Sequence, residues 1–214
     1  MKEPQQQAQA CVIWMHGLGA DASDMAGLAD QLPVNGIPVR HIFLDAPVRP
    51  VTINGGMAMR AWYDIVGMQL TDREDQQGIT QSAAFIGQVF EDQVNSGMAA
   101  DKIFLAGFSQ GGAMALYTAL NMKNSVAGVI ALSAYLPLAS QCKADLAKTT
   151  PIFVASGQFD PIVLPVWTKQ STEWLAKSGY KDISSHSYPM EHSICVEEIS
   201  DLSQWISKKI KGDQ

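Results

Sequence analysis

Short apolar runs alternate with longer segments of helical spacing along the whole chain. The first run, CVIWMH at 11–16, has strand composition and stops at a glycine turn, HGLGA. Residues 23–32, SDMAGLADQL, carry a helical pattern with Ser23 placed as its N-cap and Pro33 as its stop. VRHIFLDAP at 39–47 is the next strand, closed by proline. The stretch 51–66, VTINGGMAMRAWYDIV, breaks this rhythm, because Asn-Gly flanked by β-type residues predicts a hairpin. After the polar loop TDREDQQ, a helix is expected near 79–96, with Ile79, Ala83, Ile86, Val89 and Phe90 at helical spacing. A strand at 102–108, a helix at 110–122 and a strand at 126–134 come next. The pattern then repeats as a strand at 151–157, a helix at 165–178, a strand at 183–189 and a helix at 194–210.

Strands alternating with helices predict an α/β fold whose mostly parallel sheet is covered on both faces. No linker or repeat divides the chain, so 1–214 is expected to be one domain, with residues 1–9 flexible. In such sheets ligands sit outside the carboxyl ends of the strands. The residues just past each strand are therefore where chemistry should lie.

Composition removes several classes. A hydrophobic fraction of 47% in 214 residues is enough for a full core without metal or disulfide staples. A net charge of −6 argues against nucleic-acid partners and against attraction to anionic lipid. The longest apolar stretch, 126–139, is short of a membrane span and broken by Ser, Tyr and Pro, which argues against stable membrane insertion. Cys11, Cys142 and Cys195 show no CxxC spacing, which points to a reducing compartment and away from zinc. The polar N-terminus has no secretory apolar region, so the expected location is cytoplasmic.

The strand at 102–108 runs into GFSQG, a match to G-x-S-x-G. On a sharp strand-to-helix turn, a side chain two residues either side of the serine would strike backbone, which gives Gly107 and Gly111 a purpose. The helix beyond the turn aims its N-terminal amides at developing negative charge. Ser109 needs a base. His41 lies inside a strand pattern, His186 alternates with polar residues, and His16 belongs to the glycine turn. His192, in the loop after the last strand, is the expected base. Asp160 lies at a strand's carboxyl end between Ser109 and His192, the place of the acid that fixes the imidazole tautomer. An Asx turn ahead of Pro161 is its competing reading. Two backbone donors are needed for an oxyanion, and the expected ones are the amides of Gln110 and of Leu18 in HGLG. Cys195 is expected to be a buried structural cysteine in the opening turn of the last helix.

HGLGAD (16–21), APVRPVTINGGMAMRAWYDI (46–65), GFSQGGAMAL (107–116), GQFDPIV (157–163) and YPMEHSICVEEI (188–199) together resemble the carboxylesterase and acyl-protein thioesterase family of α/β-hydrolases. The resemblance runs from about residue 10 to the last helix. It implies an α/β-hydrolase fold and a serine hydrolase cleaving carboxylic esters or thioesters, with Ser109, Asp160 and His192 as triad. Acyl-protein thioesterase is the alternative main role, and a non-catalytic binding protein is the rival from another class. The substrate is a small ester or an acylated protein. No cofactor or metal is implied, and several members form homodimers. An apolar acyl groove would be bordered by Trp62, Leu70, Ile79, Ile162 and Val163. In DPIVLPVW, Leu164 precedes Pro165, whereas the family's proline is expected one position earlier.

Overall fold

The computed structural model describes residues 1–67, 69 and 73–212. Six parallel strands form the sheet: β1 (Ala10–Met15), β2 (Val39–Leu44), β5 (Ile103–Phe108), β6 (Gly128–Leu132), β7 (Ile152–Gly157) and β8 (Ile183–Tyr188). Their spatial order is β2-β1-β5-β6-β7-β8. β1, β6 and β7 are buried at every position and β5 at all but its last, whereas the edge strands β2 and β8 are mostly half-buried. That is the burial pattern of a sheet covered on both faces.

Alternation along the strands divides the core in two. Ile13, Met15, Leu105 and Val129 face one side and pack against α2 (Gln76–Asn95), α3 (Gln110–Asn121) and α4 (Pro165–Lys177). Val12, Trp14, Phe104, Ile130 and Phe153 face the other, against α1 (Ala22–Asp30) and α5 (Val196–Lys211). In α5 the apolar stripe Leu202, Trp205, Ile206 and Ile210 does the packing.

Three local expectations shift. The N-cap of α1 is Asp21, not Ser23: the Asp21 carboxylate accepts the Ser23 amide at 2.8 Å, and Asp24 returns to the Asp21 amide as a capping box. The hairpin is β3 (Val48–Val51) paired antiparallel with β4 (Met57–Arg60), a few residues earlier than the 51–66 reading. Thr52 is drawn out of the strand by Asp64, which accepts its amide and hydroxyl at 2.7 and 2.6 Å. The turn is therefore longer than a two-residue Asn-Gly loop, with Gly55 and Gly56 both at positive φ. At the N-terminus, read as flexible, Lys2 exchanges backbone hydrogen bonds with His41 (2.8 and 2.9 Å), and the Gln9 amide donates to Pro38. Among the described residues no helix is long and apolar enough to cross a membrane.

The chain runs outward from β1 to β2 and returns to β5 on the other side of β1. The carboxyl ends of β1 and β5 are thus neighbours at a topological switch point, the usual place for a site in an open α/β sheet.

Candidate active site

Met15 pairs with Gly107 across β1 and β5, so the segment after Met15 and the segment after Gly107 emerge side by side. Ser109 comes next at φ +54°, ψ −120°, immediately before the first residue of α3. A non-glycine residue held there is strained by about 1–3 kcal/mol. The Ser109 amide donates to Leu132 at 2.8 Å and its carbonyl accepts from Ala113 at 3.0 Å, which locks the turn from both sides. A Cβ on Gly107 would run into the backbone of Gly111. One on Gly111 would run into the carbonyls of Met15 and His16. Gly107 is required by the elbow, and Gly111 by the neighbouring strand. Neither obstacle is a movable side chain. Gly111→Ala is accordingly expected to destabilise the fold by about 3 kcal/mol or more. Gly87→Ala, on an open face of α2 with nothing in reach of the new methyl, should instead stabilise by about 0.5–1 kcal/mol. Denaturant unfolding of the two variants checks both signs.

The imidazole arrives from the loop after β8. Gln158 and Phe159, just past β7, donate backbone hydrogen bonds to Tyr188 (2.8 Å) and Met190 (3.1 Å), which ties the loop after β7 to the loop after β8. Gly157 makes this approach possible, since a Cβ there would meet the carbonyls of Met190 and Glu191. His192 Nε2 then lies 2.9 Å from Ser109 Oγ, and His192 Nδ1 lies 2.7 Å from Asp160 Oδ2. The Phe108 ring packs against the imidazole at 4.8 Å between centroids. Asp160 has no exposed side-chain surface. Its other oxygen, Oδ1, accepts the amides of Ile162 and Val163 at 2.8 and 2.9 Å. Asp160 makes a different contact on each oxygen: an Asx-type turn on Oδ1 and the His192 ring on Oδ2. Such a chain can draw the proton from the hydroxyl as the oxygen attacks an electrophile.

The other histidines are engaged elsewhere. His16 Nε2 accepts the Ala46 amide at 3.0 Å, so Nδ1 carries the proton and donates to the Gly17 carbonyl at 2.7 Å. That contact shapes the HGLG turn. His41 accepts the Trp14 indole N–H, and burial pushes its pKa down to about 4. His186 is stacked on Phe153. Among the described residues, neither the Leu18 nor the Gln110 backbone N–H donates to a protein acceptor. Both residues line the space beside Ser109. The Gln110 side chain has a role the sequence did not suggest: it accepts the Trp62 amide and donates to the Tyr63 carbonyl, each at 2.8 Å. The segment after β4 is thereby pinned to the elbow.

Among the described residues, two hollows are lined by Ser109. A cleft of about 700 Å³ opens over His192, Phe108, Gly17 and the α1 residues Met25 and Leu28. A smaller, more enclosed pocket of about 50 Å³ is lined by Tyr63, Tyr135, Ile162 and Val163 as well as Ser109. Of the groove residues expected from the sequence, Ile162 and Val163 are at the site. Trp62 and Ile79 are not: both are fully buried in the core, and the Trp62 indole donates to the His16 carbonyl at 2.9 Å. Leu70 lies outside the described residues. The resemblance points to these segments, but it does not separate core from pocket wall within them. Tyr63 sits inside the AWYDI segment with nothing there to mark it as pocket wall, and Tyr135 and the α1 contribution carried no motif.

Cys195 is half-buried as the N-cap residue of α5, not fully buried. Partial burial and the nearby Glu197 and Glu198 push its thiol up, away from a reactive thiolate. Glu198, three residues on, is fully buried with neither carboxyl oxygen hydrogen-bonded among the described residues. Burial pushes its pKa up to about 8, with the nearby Cys195 amide opposing the shift without closing a hydrogen bond of normal geometry. Folded chains thus keep a proton that unfolded chains lose near pH 4.5. Stability should fall by up to about 1.4 kcal/mol per unit as pH rises through that window. Glu198→Gln is expected to flatten the dependence of Tm on pH between about 5 and 8 and to exceed the wild type above pH 8.

Residues 1–210 match the model of the phospholipase/carboxylesterase family. The acyl-protein thioesterase 1 of Cryptococcus neoformans is 35% identical, over 97% of this chain and 95% of that protein. That of Mycosarcoma maydis is 37% identical, over 94% of this chain and 91% of that protein. The crystal structure of Zea mays acyl-protein thioesterase 2 superposes with a TM-score of 0.86 at 27% identity, covering 98% of this chain and 97% of that one. With this architecture and these relatives, the chain belongs to the phospholipase/carboxylesterase family and is an α/β-hydrolase acting on esters or thioesters.

Proposed function

We propose that Ser109, His192 and Asp160 are the catalytic triad, with the Leu18 and Gln110 amides as oxyanion hole, and that the reaction transfers an acyl group to water through an ester on Ser109. His192 Nε2 takes the Ser109 proton as Oγ attacks the carbonyl carbon. The carbonyl oxygen gains negative charge and is met by the two amides, each donor worth about 10²–10³ in rate. Asp160 holds the imidazolium that forms. His192 then returns the proton to the departing alcohol or thiol, and water repeats the attack on the acyl-enzyme with His192 again as base. Ser109 is released with the carboxylic acid as product.

One observation carries this reading: the unbroken hydrogen-bond chain from Asp160 through His192 to Ser109, at 2.7 and 2.9 Å. A binding protein on this fold would be expected to have lost a member of that chain. Steady-state hydrolysis of p-nitrophenyl acetate and butyrate is the test, and folded protein that turns over neither these nor a thioester overturns it.

A second reading, acyl-protein thioesterase as main role, is favoured by relatives of that name at 35–37% identity. The same triad serves both, because only the leaving group differs. Comparing kcat/KM on an S-acylated peptide and on the matched O-ester separates them. A cytoplasmic location is supported by three free cysteines, Cys11, Cys142 and Cys195. Homodimerisation is supported by exposed Phe159, Ile162 and Leu164 on the loop after β7, and sedimentation velocity tests it.

A further inference from the structure

The two hollows at Ser109 differ in size and in what they contain. His192 stands on the wall of the large cleft and is absent from the small pocket. Leu18 borders both, while Gln110 borders the small pocket. These facts assign the hollows if the triad works as proposed above, a reading on which this inference rests. The carbon bound to Ser109 Oγ carries three other groups in the tetrahedral intermediate. Its oxyanion goes to the Leu18 and Gln110 amides. Its leaving group must lie within reach of His192 Nε2, which protonates it. The large cleft of about 700 Å³ therefore receives the leaving group. Of the two hollows among the described residues, the small pocket is then the one open to the acyl chain.

That pocket is small. Its volume of about 50 Å³ is less than a tenth of the large cleft's 700 Å³ or so. Two buried phenols, Tyr63 and Tyr135, stand in its wall, and their hydroxyls lie 3.1 Å apart in a hydrogen bond. An acyl chain longer than a few carbons would have to part this pair, displacing aromatic rings in a packed interior and separating hydroxyls that lie out of water. Ile162 and Val163 close the side from the loop that Asp160 anchors.

We infer that this enzyme selects short acyl groups, acetyl to about butyryl, carried on bulky leaving groups, and that the Tyr63–Tyr135 pair sets the length limit. The two phenols are specificity-determining residues and take no part in proton transfer.

The test is a chain-length series of p-nitrophenyl esters from acetate to decanoate, run on the wild type and on Tyr135→Ala, with Tyr135→Val in its place if the alanine variant does not fold. Each protein is also titrated with a small fluorophosphonate, followed by intact mass, to report on Ser109 itself. The wild type should label and show kcat/KM at least about tenfold lower on octanoate than on butyrate. The variant should label too, with its optimum moved to longer chains, a change that general structural damage does not produce. Wild-type protein that labels yet hydrolyses octanoate or decanoate as well as butyrate overturns the inference and leaves the triad standing. A labelled variant with an unmoved optimum overturns the role of the pair. Folded wild-type protein that neither labels nor hydrolyses any ester overturns the triad assignment, and this inference with it.

Discussion

Ser109→Ala is expected to lower kcat by about 10⁶-fold while leaving the melting temperature almost unchanged. The loss is large because the hydroxyl is the bond-forming group, and His192 and the oxyanion amides have no attack to assist without it. The fold should tolerate the change because the turn is held by backbone hydrogen bonds of Ser109 to Leu132 and Ala113, not by the hydroxyl. Alanine inherits the same φ of +54° and the same strain. Ser109→Gly provides the complementary reading. It should be equally inactive but more stable than the wild type by about 1–3 kcal/mol, because glycine occupies that conformation without penalty. Equilibrium unfolding of the pair separates loss of chemistry from loss of structure.

Asp160→Asn is expected to reduce kcat by about 10⁴-fold with the fold retained. The direction in which the new amide points is decided by the contacts already present. Oδ1 accepts two backbone amides, from Ile162 and Val163, so the carboxamide oxygen will take that place. The NH₂ group is then turned toward His192 Nδ1, where the carboxylate had accepted a hydrogen bond. A donor there favours the tautomer with Nδ1 bare and the proton on Nε2, the nitrogen that must accept from Ser109. The imidazole is left in place but loaded the wrong way round. Stopped-flow or steady-state kinetics on an activated ester gives the fall, and unchanged turnover in this variant would remove Asp160 from the triad.

Much of the fold and of the site is legible in the sequence. The alternation of apolar runs and helical segments marks a parallel sheet, and in such a sheet the strand ends are the places to inspect. HGLG, GFSQG, Asp160 and His192 sit at four of those ends, and the structure brings them to one point because β1 and β5 are neighbours and the loop after β8 folds back over β7. What the sequence could not separate was which apolar side chains enclose the site. Trp62 lies in a segment tied to Gln110, yet it and Ile79 are both swallowed by the core, Trp62 through its indole bond to the His16 carbonyl. Periodicity reports that a side chain turns inward and is silent on whether it meets a protein neighbour or an open pocket. The hairpin and the N-cap of α1 shifted for a related reason. Asp64 and Asp21 compete for backbone donors in ways that turn statistics for Asn-Gly or Ser do not include. Gly111 is the reverse case, a residue placed correctly but held there by Met15, a contact between strands that a local motif cannot express.

Whether Ser109 is a nucleophile activated by His192 can be read by exposing the wild type and Ser109→Ala to a fluorophosphonate, with intact mass and peptide mapping as readout. One phosphonyl adduct is expected on the wild type, located on Ser109, and none on the variant. Folded wild-type protein that stays unlabelled, or a variant labelled as fast as the wild type, would contradict the assignment of Ser109.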